Sequence, residues 1–216
     1  MRTRFDEQLA QLHHSLIQMG ALCEEAIALA AKALVNGDIS LARKIEALSA
    51  ELDQRERAAE ALCLKMLLQQ QPVAGDLRQI SAALKMITDM ERIGDQAEDI
   101  GEIVTDMHHG SDYDFTLIHQ MAEATISMVT GSVDAFVQQD VVQARTVIDS
   151  DDVVDGYFLQ VKDSLLAMLA ANPADGQDAL DLLMIAKYFE RIGDHAVNVA
   201  EWVVFSVTGQ HKGETL

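Results

Sequence analysis

The chain has 216 residues, with 16 Lys and Arg against 35 Asp and Glu and a formal net charge of −19. Nucleic-acid binders neutralise phosphates with clustered basic side chains, so this balance argues against nucleic acid and for basic surfaces or metal ions as partners. Apolar residues make up 49% of the chain, ample for a buried core, and only Pro72 and Pro173 interrupt helices.

The opening residues, from Met1 through Phe5 to Glu7, have no apolar run behind them to serve as a signal peptide. No stretch approaches the length a membrane span needs, so direct membrane insertion is not expected. The first helix then repeats apolar residues at alternating spacings of four and three: Phe5, Leu9, Leu12, Leu16, Met19, Cys23, Ala26, Ala30 and Ala33. It stops at Asn36-Gly37, where Asp38 can cap the next helix. The second helix carries Leu41, Ile45, Leu48, Leu52, Leu62 and Met66 and ends at Gln71-Pro72. Cys23 and Cys63 both fall at apolar helical positions. They read as small buried hydrophobes in a reducing compartment, not a disulfide, and the expected location is cytoplasmic.

Helix three places Met86, Met90, Ile93, Ala97, Ile100, Val104 and Met107 at the same spacing, and a linker is expected at 108–112. The pattern then recurs. Helices four (Phe115 to Gln138) and five (Asp140 to Ala171) match the first two at a constant shift, with Asp38 answered by Asp140 and Asp53 by Asp155. Pro173 answers Pro72, and the last helix repeats the third helix's stripe through Ile185, Phe189, Ile192, Ala196, Val199 and Val203. The expected fold is all-α: six long helices in two tandem three-helix bundles, an internal duplication, over residues 1–108 and 112–216.

Both third helices contain Glu-Arg-Ile-Gly-Asp, at Glu91 to Asp95 and at Glu190 to Asp194. Residues four apart share a helix face, so each motif aims two carboxylates the same way, at a cost of ~0.2–0.5 kcal/mol per like-charged pair. The acid stripe continues through Glu98, Glu102 and Asp106 in the first half, but only through Glu201 in the second. Asp53 and Glu56 are placed to contribute from the second helix, and Asp151 and Asp155 from its counterpart. A multivalent cation on hard oxygen ligands would explain the repetition. A solvated acidic face with Arg92 and Arg191 in surface ion pairs would explain it too, and spacing leaves both readings open. Gly94 and Gly193, inside helices, point to close backbone approach beside the acids. His195 points about a hundred degrees away from Asp194 and reads as a surface or structural residue. His13, His14, His108 and His109 read as exposed, and no motif surrounds His119 or His211.

The run from Pro72 through Gly75, Asp76, Leu77 and Arg78, followed by Met90 to Asp95, resembles the first half of PhoU-family proteins. The run from Tyr188 to Trp202, continued to Gly209, resembles the second half, and Phe5 to Gly20 resembles the family's start. This resemblance implies two tandem three-helix bundles that repress the phosphate-starvation response. It implies an adaptor linking the phosphate ABC importer, through its ATPase subunit, to a membrane sensor histidine kinase, as a homodimer in some members. Multinuclear metal clusters occur at the acidic motifs of some members. Matching positions are Glu91, Asp95, Glu190 and Asp194, with Asp53, Asp151 and Asp155 as additions and Glu98 and Glu201 alongside. Iron, zinc, manganese, magnesium and calcium are the candidate ions, with no organic cofactor. Ser49 departs from the repeat, lacking the carboxylate of its counterpart Asp151.

Arg78, Arg92 and Arg191 are candidate partner contacts, with intrachain salt bridges as the alternative. Ile103, Trp202 and Phe205, outside the seams, face either a neighbour or the other half. No nucleophile–base pair, phosphate loop or thiolate zinc site is visible, so no enzyme is expected. A ferritin-like metalloenzyme would need Glu-x-x-His motifs, which are missing from the sequence. A helical scaffold without metal is the third reading.

Overall fold

The computed structural model describes residues 2–70, 72–107, 113–212 and 214–215. The expected linker at 108–112, with His108 and His109, therefore lies outside the described residues, as does Gln71.

Helix α1 spans Arg2–Asn36, α2 Ile39–Gln70 and α3 Ala74–Asp106. The second half contains α4 (Thr116–Gln138), α5 (Val141–Asp149), α6 (Asp151–Ala171) and α7 (Gly176–Thr208), with a 3₁₀ turn at Pro173–Asp175. The duplication extends to the corners. After α1, Gly37 takes φ 60° and the Asp38 amide returns to the Ala33 carbonyl at 3.0 Å. After α4, Gln139 takes φ 54° and the Asp140 amide returns to the Ala135 carbonyl at 2.9 Å. Each aspartate then caps the next helix. Asp38 accepts from the Ser40 amide at 2.9 Å, and Asp140 accepts from the Val142 and Gln143 amides at 2.8 and 3.0 Å.

The apolar stripes of α3 and α7 are buried at every position anticipated for them. Within each half, α3 packs on α1 and α2, and α7 packs on α4, α5 and α6. The halves meet along α3–α7 and α1–α4, so α1, α3, α7 and α4 ring a shared centre while α2 and α5–α6 flank it on opposite sides. One continuous apolar core runs through both bundles.

Two features depart from expectation. The fifth helix is interrupted at Ser150, whose amide bonds back to the Thr146 and Val147 carbonyls and whose hydroxyl donates to Thr146 at 2.7 Å. Its counterpart stretch Ala47-Leu48-Ser49-Ala50 stays helical because Ala and Leu favour helix. Asp149-Ser150-Asp151-Asp152 instead offers side chains that compete for the backbone. The chain also ends in a short antiparallel pair, β1 (Gln210–His211) with β2 (Glu214–Thr215). There His211 stacks on Trp202 at 4.0 Å, and Trp202 meets Phe205 edge-on, so these two aromatics pack against the chain's own end.

Candidate metal centre

The first cluster is built where α2 meets α3. A side chain at Gly94 would come within 2.6 Å of Leu52 Cδ1, so glycine is what lets the two helices settle at this distance. The residues next in sequence, Asp53 and Asp95, are thereby brought together, and Glu91 joins them one turn earlier on α3. One oxygen from each of Asp53, Glu91 and Asp95 lies within 4.8 Å of the others, and all three residues are half-buried. Burial pushes the Glu91 carboxyl above its usual range, followed by the charge of Asp95; Arg92 opposes the rise, while Glu56 and Asp53 add to it. Glu56 also stands beside α3, accepting from the Thr88 hydroxyl at 3.3 Å.

Cations answer this cluster from its rim. Arg92 reaches Asp95 at 3.1 Å and Glu91 at 3.5 Å with more than half of its side chain exposed, and Arg57 reaches Asp53 at 3.3 Å. Oxygens around one ion at bonds of about 2.0–2.6 Å lie up to roughly 5 Å apart, so the spacing fits a single shared cation. The donors are all carboxylate oxygens, which suit iron, manganese, magnesium or calcium better than the nitrogen- and sulfur-rich sites of structural zinc. The residues present fit a hard cation.

The second cluster is arranged differently. Gly193 sits against Val154 and over Asp151, where an added Cβ would lie 3.5 Å from Oδ1. That oxygen is buried and has no hydrogen-bond partner among the described residues. Burial, then the charges of Asp155, Asp194, Glu190 and Asp152, push the Asp151 carboxyl up to about 6. Asp194 is also raised, by burial and then by Glu190, with Lys187 and His195 opposing. Glu190 is held by the Lys187 ammonium three residues before it, while Asp155 and Asp194 are exposed. Among the described residues, no three carboxylates of this cluster converge as those of the first do.

Other candidates lie outside the converging set. Glu98 lines a groove of about 370 Å³ with Arg43, Glu46, Glu102, Thr105 and Asp106. Glu201 pairs with Lys212 at 3.1 Å. Arg191 lies 5.9 Å from the Tyr188 ring centre, and Arg78 stands beside Gly209, where α7 ends. A larger cavity of about 750 Å³, between the end of α1 and the start of α4, contains no residue of either acidic cluster.

His13, expected to be exposed, is half-buried edge-on to Phe136 at 5.1 Å, and burial lowers its pKa. His195 is structural: it bonds Asp89 of α3 at 2.9 Å, and Asn198 donates to the same carboxylate at 3.2 Å. Asp89 and Lys187 were not singled out in the sequence. The one legible trace is the three-residue spacing of Lys187 and Glu190, which marks a helical ion pair.

Two stretches, residues 16–104 and 118–203, match the family model described as the PhoU domain. A Clostridium acetobutylicum protein described as a phosphate-specific transport system accessory protein PhoU homolog is 31% identical over 211 residues, covering 97% of this chain and 96% of that one. The crystal structure of PhoU from Pseudomonas aeruginosa superposes with a TM-score of 0.90 at 29% identity, covering 95% of this chain and all of that one. The phosphate transport system regulatory protein PhoU from Streptococcus pneumoniae superposes with a TM-score of 0.89 at 25% identity, covering 96% and 98% of the two chains.

Proposed function

The chain belongs to the PhoU family, and from that premise we propose that it is a non-enzymatic regulator of phosphate uptake that represses the phosphate-starvation response when phosphate is plentiful. The observation that carries this reading is the family domain occurring twice along nearly the full chain, on relatives described as accessory or regulatory proteins of phosphate transport. Its partners are the ATPase subunit of the phosphate ABC importer and a membrane sensor histidine kinase, met from the cytoplasmic side. No helix among the described residues is long and apolar enough to cross a membrane, which suits an adaptor that docks on membrane partners without entering the bilayer. The long exposed faces of α2 and α6 offer such partners an extended surface.

The first cluster is a metal site in this reading, supported by the convergence of Asp53, Glu91 and Asp95. A bound cation supplies positive charge among these carboxylates. Asp53 from α2 and Glu91 and Asp95 from α3 would hold it, and their joint ligation would tie the two helices together.

Removing the protein from its host should leave starvation transcripts switched on in phosphate-rich medium, and the wild-type chain should switch them off. Normal repression without the protein would overturn the regulatory reading. Elemental analysis tests the site: metal should accompany the wild type and leave the still-folded Glu91→Gln, Asp95→Asn variant. If that variant represses as well as the wild type, the metal-free scaffold is the better description.

A further inference from the structure

The two halves treat their acids differently, and beside the change from Ser49 to Asp151 two further substitutions between the repeats bear on the difference. Where the first half has Thr88 and Glu56, the second has Lys187 and Phe158 at the same shifts that relate Glu91 to Glu190 and Asp53 to Asp155. In the first half the Thr88 hydroxyl bonds Glu56, adding a further carboxylate beside the converging three. In the second, the aromatic ring replaces that carboxylate and the Lys187 ammonium lies 5.6 Å from its centre while bonding Glu190. An ammonium at that distance from a ring gains cation–π attraction, so Phe158 helps hold Lys187 over the acids.

We propose that Lys187 is the built-in cation of the second carboxylate cluster, so that this chain takes up metal ions at the first cluster alone. The inference rests on reading the first cluster as a metal site. Its physical basis is competition for the same ligands. Lys187 engages Glu190, whose side chain is only 15% exposed, and among the described residues Glu190 converges with no two of Asp151, Asp155 and Asp194. A metal ion there must first displace an ammonium that is tethered, three residues from its partner, and cradled by a ring.

Arg92 does not act in the same way. It holds Glu91 and Asp95 from the solvent side, with 55% of its side chain exposed, and the three oxygens still converge. Its counterpart Arg191 lies near the Tyr188 ring and pairs with no carboxylate of the second cluster among the described residues. Lys187 is therefore the cation that distinguishes the halves.

The test counts bound Mn²⁺ by electron paramagnetic resonance and equilibrium dialysis on metal-stripped full-length protein. In the wild type, changing Asp53→Asn, Glu91→Gln and Asp95→Asn together should abolish tight binding. Lys187→Thr, which installs the first half's residue, should add a second class of site at least tenfold tighter than any residual binding at this cluster. That class should persist when the first cluster is removed. Lys187→Gln, which keeps the length of the chain and loses the charge, serves if the threonine variant folds poorly by circular dichroism. In the opposite direction, Thr88→Lys should weaken Mn²⁺ binding at the first cluster at least tenfold. Tight binding in the wild type that survives loss of the first cluster would overturn the inference. So would variants of Lys187 that gain no site. If the Lys187 variants bind Mn²⁺ while the wild type binds none, Lys187 blocks the second cluster as stated and the metal reading of the first cluster fails.

Discussion

Asp151 has one buried oxygen without a hydrogen-bond partner among the described residues, in the company of four other carboxylates. Burial first, and those neighbours second, raise its pKa from 3.8 to about 6. Between these values the folded protein holds a proton that the unfolded chain releases. Stability therefore falls as pH rises through this window: the group's contribution is fully present below 3.8 and lost above about 6. Glu91 and Asp194 are shifted upward as well and act in the same direction. Asp151 is only half-buried, so solvent screening reduces its share to about 1 kcal/mol. Asp151→Asn should raise the stability of metal-free protein at pH 7 by about that amount and flatten the profile between pH 4 and 6. Urea melts from pH 4 to pH 7 measure both. A variant less stable than the wild type at pH 7 would mean that the ionised carboxylate has a favourable partner and that the burial argument is wrong.

Helices that lie this close depend on what their contact residues lack. Gly94 is buried against Leu52, itself fully buried, so Gly94→Ala must push that side chain or separate α2 from α3. Overpacking of this kind costs about 1–3 kcal/mol, which outweighs the ~1 kcal/mol an alanine gains in helix propensity. Gly156 in α6 has open space where a Cβ would stand, so Gly156→Ala should gain about 0.5–1 kcal/mol. Thermal melts of the two variants should move in opposite directions, and movement in the same direction would refute the contact argument. The same reasoning explains what the sequence disclosed. Periods of three and four in α1, α3 and α7 gave these helices and their buried faces, because burial is the cause of the period. The interruption at Ser150 leaves no mark in the apolar period, because Val147 and Val154 stay in step on either side of it; its only trace is the Asp149-Ser150-Asp151-Asp152 run, whose side chains compete for the backbone. The acids of Glu91 and Asp95 could be set on one face by counting. That they converge with Asp53 while those of the second half do not depends on Lys187 and Phe158, two residues whose meeting across helices no spacing within either helix predicts.

Joining the halves is a matter of polar bonds laid over a shared apolar centre. Gly20 of α1 lies so close to α4 that an added Cβ would meet Val133 at 3.0 Å, and Glu24 of α1 accepts from Thr130 of α4 at 2.8 Å. Along α3 and α7, Asp89 binds His195 and Asn198, while Tyr188 of α7 lies near Asp99 of α3 and influences its titration. Asp89 corresponds to Tyr188 under the repeat, and Asp99 to Asn198, so the Asp89–Asn198 bond and the Asp99–Tyr188 approach occupy equivalent places where the two helices meet. Since α3 and α7 each pack against the other half as well as their own, opening one bundle would expose the other's core. Unfolding of metal-free protein should therefore be one cooperative transition, with calorimetric and van't Hoff enthalpies equal. Asp89→Ala leaves His195 and Asn198 without their acceptor and should lower stability by about 1–3 kcal/mol while keeping a single transition. If instead the melt splits into two steps, with Asp89→Ala shifting only the lower one, the bundles fold as separate units and α3–α7 is a docking contact between them.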